Sequence, residues 1–207
     1  GSGIPAGELQ LALARHATSK VAQIDDLEHI RSLGFRGEAL ASIAAVAEVT
    51  LLSHHRGALQ GAQVSASNGQ ISEASTAASP EGTTLTVRNL FSSVPARLKF
   101  LKSRNTEVSH CHHLLEQYAL AYPEIRFSVF SDGRQIFATP GDGQLSSALI
   151  EVYGLQVAEQ MVSISSLDGH DEDPERPVVN GYISLPTCYK STRQHLSFFV
   201  NRRWVLS

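Results

Sequence analysis

The sequence predicts an α+β fold, with mainly hairpin-connected strands and helices on one face. Three observations carry this. Asn68-Gly69 and Asp132-Gly133 each separate two segments of strand character, the pattern of tight antiparallel hairpins. Apolar residues recur at helical spacing in Leu9, Leu13 and Ala17, again in Leu40, Ile43, Ala44 and Ala47, and again in Val108, Cys111, Leu115 and Tyr118. Pro140-Gly141-Asp142-Gly143 is the strongest internal punctuation, so a boundary is expected at residues 140–144.

The elements follow in order. Residues 8–17 read as a helix. Asp25 with Glu28 has capping-box spacing, so 26–32 reads as a short helix stopped by Gly34. A helix follows Gly37, and 49–53 turns to strand character. Gln63–Ala66 and Ile71–Ala74 flank the first hairpin turn, and Leu85 and Val87 alternate with Thr84, Thr86 and Arg88. Pro95 suits the first turn of a helix running to Lys102. Residues 125–129 and 135–138 form the second hairpin. Beyond the punctuation come a helix over 145–153 closed by Gly154, strands near 161–164, 178–185 and 195–200, and a turn at Asn201-Arg202.

Composition narrows the class. With 207 residues, 42% of them hydrophobic and 18% charged, the chain can bury a core and is not of disordered type. No apolar run approaches the roughly 20 residues that span a bilayer, and no signal peptide is visible. Two cysteines, Cys111 and Cys188, supply neither a disulfide framework nor a zinc quartet, which fits a reducing setting. Cys111 is expected in the core. A net charge of −3 argues against a dedicated nucleic-acid module. Charge is nevertheless uneven. Arg97, Lys99, Lys102 and Arg104 form a basic stretch that suits either DNA phosphates or a solvated helix face. Asp168, Asp171, Glu172, Asp173 and Glu175 form an acidic loop. His110-Cys111-His112-His113 is a poor metal site, because neighbours along a helix face different ways and no second ligand pair exists.

The most informative stretch is Gly34-Phe35-Arg36-Gly37-Glu38-Ala39-Leu40. Two glycines flank an arginine just before a helix. That pattern lets backbone N–H groups meet an anion, although a plain loop-to-helix cap looks the same. It is not a Walker A spacing. Upstream stands His16-Ala17-Thr18-Ser19-Lys20. Downstream stand Gly82-Thr83-Thr84 and Leu90-Phe91-Ser92-Ser93-Val94-Pro95-Ala96-Arg97-Leu98-Lys99-Phe100-Leu101. The chain opens Gly1-Ser2-Gly3-Ile4. Together and in this order, these segments resemble the MutL family of DNA mismatch-repair proteins, within the GHKL ATPases. The resemblance covers nearly the whole chain.

The resemblance implies a Bergerat-type ATP-binding sandwich over residues 1–140. Residues 141–207 should be part of a transducer domain similar to the second domain of a ribosomal small-subunit protein. Gly1 and Gly3 would belong to the glycine motif shaping the nucleotide pocket, although an initial Gly-Ser is also what cloning leaves behind. Thr18, Ser19 and Lys20 would contact phosphate or ribose. Gly34, Arg36, Gly37, Glu38, Ala39 and Leu40 would form the lid end and the helix start that cradles phosphates. Thr83 would be an adenine-side contact, with Thr84 structural. His16 reads as structural. Glu38 would repel phosphate, so it is expected to cap the helix or pair with Arg, and no residue of this chain is assigned as catalytic. Arg203, with Arg202 beside it, would meet DNA phosphates. Arg202 stands where the family often has Gly.

By the same resemblance the cofactors are ATP and Mg²⁺. The general-base Glu, the Mg²⁺-binding Asn and the γ-phosphate Lys would lie outside a chain truncated at both ends. The fragment alone should therefore be nearly inactive, and the missing helix and strand should leave apolar sheet surface exposed. The expected partners are DNA without sequence preference, a MutS-type mismatch-recognition protein, and a second copy through the N-terminal halves when ATP binds. No membrane is expected, and the setting is the bacterial cytoplasm at the nucleoid. Two rival readings stand: another GHKL ATPase such as a topoisomerase subunit, and a non-catalytic DNA- or protein-binding module with a vestigial nucleotide site.

Overall fold

The structure is a computed structural model and describes residues 1–17, 37–166 and 178–205. By contact the chain divides into two compact units, Gly1–Leu101 and Lys102–Ser207. The Pro140–Gly143 punctuation lies inside the second.

The first unit is built on an antiparallel sheet. Its strands are β1 (Glu48–His54), β2 (Gly61–Ser67), β3 (Gln70–Ile71), β4 (Ser75–Ala77) and β5 (Gly82–Arg88), in the order β3-β2-β1-β5, with β4 also paired to β2. The β2–β3 turn is Asn68-Gly69, as expected, with φ of 49° and 76°. Val49, Leu51 and Ser53 alternate on one face of β1, opposite Ala66, Val64 and Ala62 of β2. Helices α1 (Leu9–Ala12) and α2 (Ala39–Ala44) cover that face. Leu9, Leu13, Ala44, Ala47, Val49, Leu51 and Val64 are all buried there. Burying such aliphatic side chains stabilises by about 1.5–3 kcal/mol each relative to exposure.

The same face continues onto β5, where Leu85 lies opposite Leu51 and Val87 opposite Val49. There it is uncovered, and Leu85 and Val87 are 41% and 40% exposed. The first helix is shorter than its periodicity suggests. It ends at Ala12, and His16 takes φ 60°, a left-handed conformation that no helix continues. Similarly, α3 (Pro95–Leu98) stops short of Lys102. The short helix expected over 26–32 and the acidic loop over 168–175 lie outside the described residues.

In the second unit, α4 (Arg104–Ala121) starts at Ser103, whose Oγ accepts the Thr106 N–H. Its buried residues are Gln117, Ala119, Leu120 and Ala121. Ala119 packs with Val129 and Phe137 from the hairpin β6 (Ser128–Ser131) and β7 (Arg134–Ala138). Leu120 packs with Ala148 and Leu149 of α5 (Leu145–Tyr153), which Gly154 closes before α6 (Leu155–Ala158). Since only the last turns of α4 are buried, Cys111 is exposed rather than in the core. His113 meets Glu116 at 3.4 Å, and its ring packs edge-to-face with Trp204, the ring centroids 5.2 Å apart. Among the described residues no group of three or more His, Cys, Asp or Glu converges as a metal site. Two further hairpins complete the unit: β8 (Met161–Ser165) with β9 (Asn180–Ser184), and β10 (Phe198–Val200) with β11 (Arg203–Val205). Among the described residues no helix is long and apolar enough to cross a membrane.

His54, at the end of β1, clamps two loops together. Its Nε2 lies 2.9 Å from the Ala58 carbonyl oxygen and its Nδ1 2.7 Å from that of Ser79. Only the imidazolium can donate to both. The Ala58 carbonyl first, then Ser79, raises the ring above its ordinary pKa, and the Glu81 carboxylate adds to this. A raised folded-state value means that this contribution to stability is complete below about pH 6.5. It fades as pH climbs through the folded value. The urea midpoint of the parent should therefore exceed that of His54→Ala most in acid, with the gap closing from about pH 6.5 upward. A gap that widened with pH, or a ring titrating below the ordinary value by NMR, would contradict the clamp.

Candidate functional site

The amino-terminal glycine segment runs past the end of β1. The Ser2 carbonyl accepts the Arg56 N–H at 2.8 Å, and Ile4 donates its N–H to Ser53 Oγ at 2.7 Å. Gly3 takes φ +75°, and a Cβ there would sit 2.1 Å from the His54 carbonyl oxygen. No side chain fits, so glycine at position 3 is a packing requirement. Gly1 carries no such demand: a Cβ on it would meet nothing within 4 Å.

Ser53 is the residue that sequence reasoning missed. It is 1% exposed, on the aliphatic face of β1, directly opposite Thr83. Its hydroxyl donates to the Gly82 carbonyl at 3.1 Å and lies 2.9 Å from Thr83 Oγ1. One buried oxygen thus joins Gly3-Ile4 to Gly82-Thr83, two motifs far apart in sequence. The only signal in the chain is parity, since Ser53 shares the face of Val49 and Leu51 and so must be buried.

Gly37 has φ +62°, and a Cβ there would lie 2.5 Å from the Ala17 carbonyl oxygen. His16 Nδ1 stands 3.2 Å from Glu38 Oε1. The chain is therefore closed upon itself at residues 16–17 and 37–38. Glu38 is the residue before α2 and makes no side-chain cap, while Arg36, the arginine beside it, lies outside the described residues. Its carboxylate turns to His16 instead, because Gly37 brings the two together. Ala39 and Leu40 open α2, and Leu40 packs against the core. Thr18, Ser19, Lys20, Gly34 and Arg36 lie outside the described residues.

In the second unit, Asn201 and Arg202 form the β10–β11 turn with φ of 49° and 64°. A left-handed arginine costs roughly 1–2 kcal/mol. Two contacts offset that cost. Arg202 meets Glu124 through both guanidinium nitrogens, at 2.7 and 2.8 Å, and lies 4.9 Å from the Tyr122 ring centroid. The Glu124 carboxyl is held below the usual carboxylate range by its own backbone N–H and then by Arg202. The guanidinium expected beside Arg203 is thus engaged within the protein. Arg203 itself opens β11, exposed and paired in register with Val200.

A family model described as DNA mismatch repair protein, C-terminal domain, matches residues 149–207. The DNA mismatch repair protein MutL of Streptococcus pneumoniae strain CGSP14 is 43% identical over 205 residues, 99% of this chain and 31% of the relative. The chain thus spans about a third of that relative's length. The Aquifex aeolicus MutL ATPase domain complexed with ADP is 28% identical with a TM-score of 0.57, over 71% of this chain and 57% of that one. The N-terminal domain of a DNA repair protein superimposes with a TM-score of 0.74 at 24% identity, over 99% of this chain and 64% of the other. That last likeness speaks for the fold.

The turn yields a stability prediction. Arg202→Ala loses a half-exposed ion pair and a ring contact and should destabilise by about 1 kcal/mol. Arg202→Gly loses the same contacts but relieves the left-handed strain, so it should be close to neutral. Urea unfolding of both variants checks this, and an alanine variant as stable as the parent would remove Glu124 and Tyr122 as compensators.

Proposed function

The chain belongs to the MutL family of DNA mismatch-repair proteins, and on that footing we propose that its first unit holds part of an ATP site whose occupancy switches the protein's contacts with DNA and repair partners. The observation that carries the reading is the Ser53 junction, which brings the Gly3 and Thr83 motifs to one place. Thr83 is exposed beside it, available to the adenine side of a nucleotide. The phosphates run toward Gly37, Glu38, Ala39 and Leu40, with Thr18, Ser19, Lys20, Gly34 and Arg36 completing their surroundings. Close backbone approach at Gly37 suits anion binding by N–H groups. The nucleotide enters as its Mg²⁺ complex. The described residues offer no carboxylate cluster to the metal, and no step is assigned to it.

On this reading residues 1–140 belong to the ATP-binding domain and 141–207 to the transducer domain that follows. The start of the C-terminal-domain match at residue 149 supports that division. Arg203 contacts DNA phosphates without reading bases, and Arg202 holds the turn that presents it. The protein acts in the cytoplasm at the nucleoid. It works with a MutS-type partner, and two copies pair through their N-terminal halves when ATP binds. The likeness to a MutL mismatch-repair protein and to a MutL ATPase domain favours this reading over a topoisomerase subunit or a vestigial site.

Two outcomes test this. Calorimetry with a non-hydrolysable ATP analogue and Mg²⁺ should show saturable binding, weakened about tenfold by Thr83→Val, the worth of roughly one hydrogen bond. A folded Thr83→Val with unchanged affinity would move the adenine end away from β5. For DNA, Arg203→Ala should weaken duplex binding for any sequence and lower the salt slope by about one. An unchanged slope would take Arg203 out of the interface.

A further inference from the structure

We propose that His54 is a positioning residue of the nucleotide site: its charged ring ties two loops together around the amino-terminal residues 1–4, and the affinity of the site for nucleotide depends on that charge. The inference rests on the nucleotide reading above and deepens it by giving the site a pH control.

Each loop that the ring touches also touches the amino-terminal segment or its support. The ring's Nδ1 lies 2.7 Å from the Ser79 carbonyl oxygen and its Nε2 2.9 Å from that of Ala58. A carbonyl only accepts, so both nitrogens must carry hydrogen, and a neutral imidazole has one N–H to give. The loop of Ala58 also holds Arg56, whose N–H donates to the Ser2 carbonyl at 2.8 Å. The loop of Ser79 runs into Gly82, which pairs with His54 in the sheet and whose carbonyl accepts from Ser53. Ser53 in turn takes the Ile4 N–H at 2.7 Å. Between these two supports, Gly3 lies against the carbonyl of His54 itself. When the ring loses its charge, one of the two carbonyls loses its donor. Either loss loosens one side of the seat that holds residues 1–4.

The charged groups around the ring come from three places. The segment before β5 brings Glu81. The loop after β1 brings His55 and Arg56, and Arg56 Nε stands 3.6 Å from Glu81 Oε2. The amino-terminal segment brings the α-amino group of Gly1. The neighbouring strands β2 and β4 carry no charged side chain. The Ala58 carbonyl first, then that of Ser79, holds the ring above its ordinary value, and Glu81 adds to this. The closed clamp is therefore complete below about pH 6.5 and is lost as pH climbs through the folded value. A nucleotide that needs residues 1–4 in place binds the charged form better. By reciprocity, its binding keeps the ring charged to higher pH.

Calorimetry with a non-hydrolysable ATP analogue and Mg²⁺ tests this on the parent, His54→Phe and His54→Arg from about pH 5.5 to 8.5. Phenylalanine keeps a ring and offers no donor, whereas arginine keeps donors and charge at every pH. The terminal phosphate titrates in the same range, so the readout is the ratio of parent to variant affinity at each pH. In acid the parent should bind about fivefold more tightly than His54→Phe, the worth of one net hydrogen bond. That ratio should fall along the titration of the His54 ring, followed by NMR. His54→Arg should keep the acid ratio over the whole range. Without nucleotide, exchange of the Arg56 amide, corrected for its intrinsic pH dependence, should quicken in the parent as the ring loses charge and not in His54→Arg. Nucleotide binding with a parent-to-His54→Phe ratio that is flat in pH, or with His54→Arg falling as the parent falls, would make His54 a structural residue and overturn the proposal while sparing the nucleotide reading. A parent that binds at no pH removes that reading and the proposal with it. Arg56 exchange that still follows the ring would then leave the clamp as a stability device alone.

Discussion

The register between β1 and β5 is the constraint on which the first unit depends. It sets Ser53 opposite Thr83, Leu51 opposite Leu85 and Val49 opposite Val87. A slip of one residue would turn every β1 side chain to the other face. Val49 and Leu51 would then leave the helices that bury them, and Ser53 would leave Ile4 and Gly82. The hydrophobic side of the strand is thus what holds its polar end in place. A buried serine is costly among aliphatic groups unless its hydrogen bonds are made, and here three contacts from two distant segments make them.

Close backbone approach recurs as the device that positions functional segments. Gly3 is pressed against the His54 carbonyl and Gly37 against that of Ala17. Each has positive φ and no room for a Cβ, so each is a point where two stretches of chain touch without side chains between them. The second contact has a further consequence for Glu38. At the proposed nucleotide site a carboxylate near the phosphates would oppose the ligand. Its pairing with His16 turns it aside, although both groups are largely solvated and the pair is weak.

The second unit solves a different problem. Its β10–β11 turn uses Asn201, which tolerates left-handed φ, followed by Arg202, which does not. The arginine is kept there by contacts outside the turn, with Glu124 and Tyr122 just beyond α4. The same helix reaches β11 again where His113 meets Trp204. The strand that carries Arg203 is thereby tied to α4 through Trp204, and its turn to the residues that follow that helix. In this unit Thr139 plays the part of Ser53: it is buried, accepts the Phe127 N–H and donates to the Ile125 carbonyl.

What the sequence determined by itself was whatever depends on neighbours along the chain. The Asn68-Gly69 and Asp132-Gly133 hairpins formed because their φ demands are local. The parity of β1 followed from its own alternation, and the glycine motifs announced close approach. Helix ends were not legible, because the stripe Leu9, Leu13, Ala17 fits a longer helix than the one that forms before His16 turns left-handed. Cys111 lies on a regular apolar stripe yet is exposed, since only tertiary packing decides which turns of α4 meet a partner. Glu38 found a histidine because Gly37 and Ala17 touch, and Arg202 found Glu124 across a long stretch of chain. Ser53 could be read as buried from parity alone. That its hydroxyl joins Ile4, Gly82 and Thr83 is decided only where segments distant in sequence become neighbours in space. Hydrogen-bond sense depends on the full set of partners around an atom, and no local stretch of sequence contains that set.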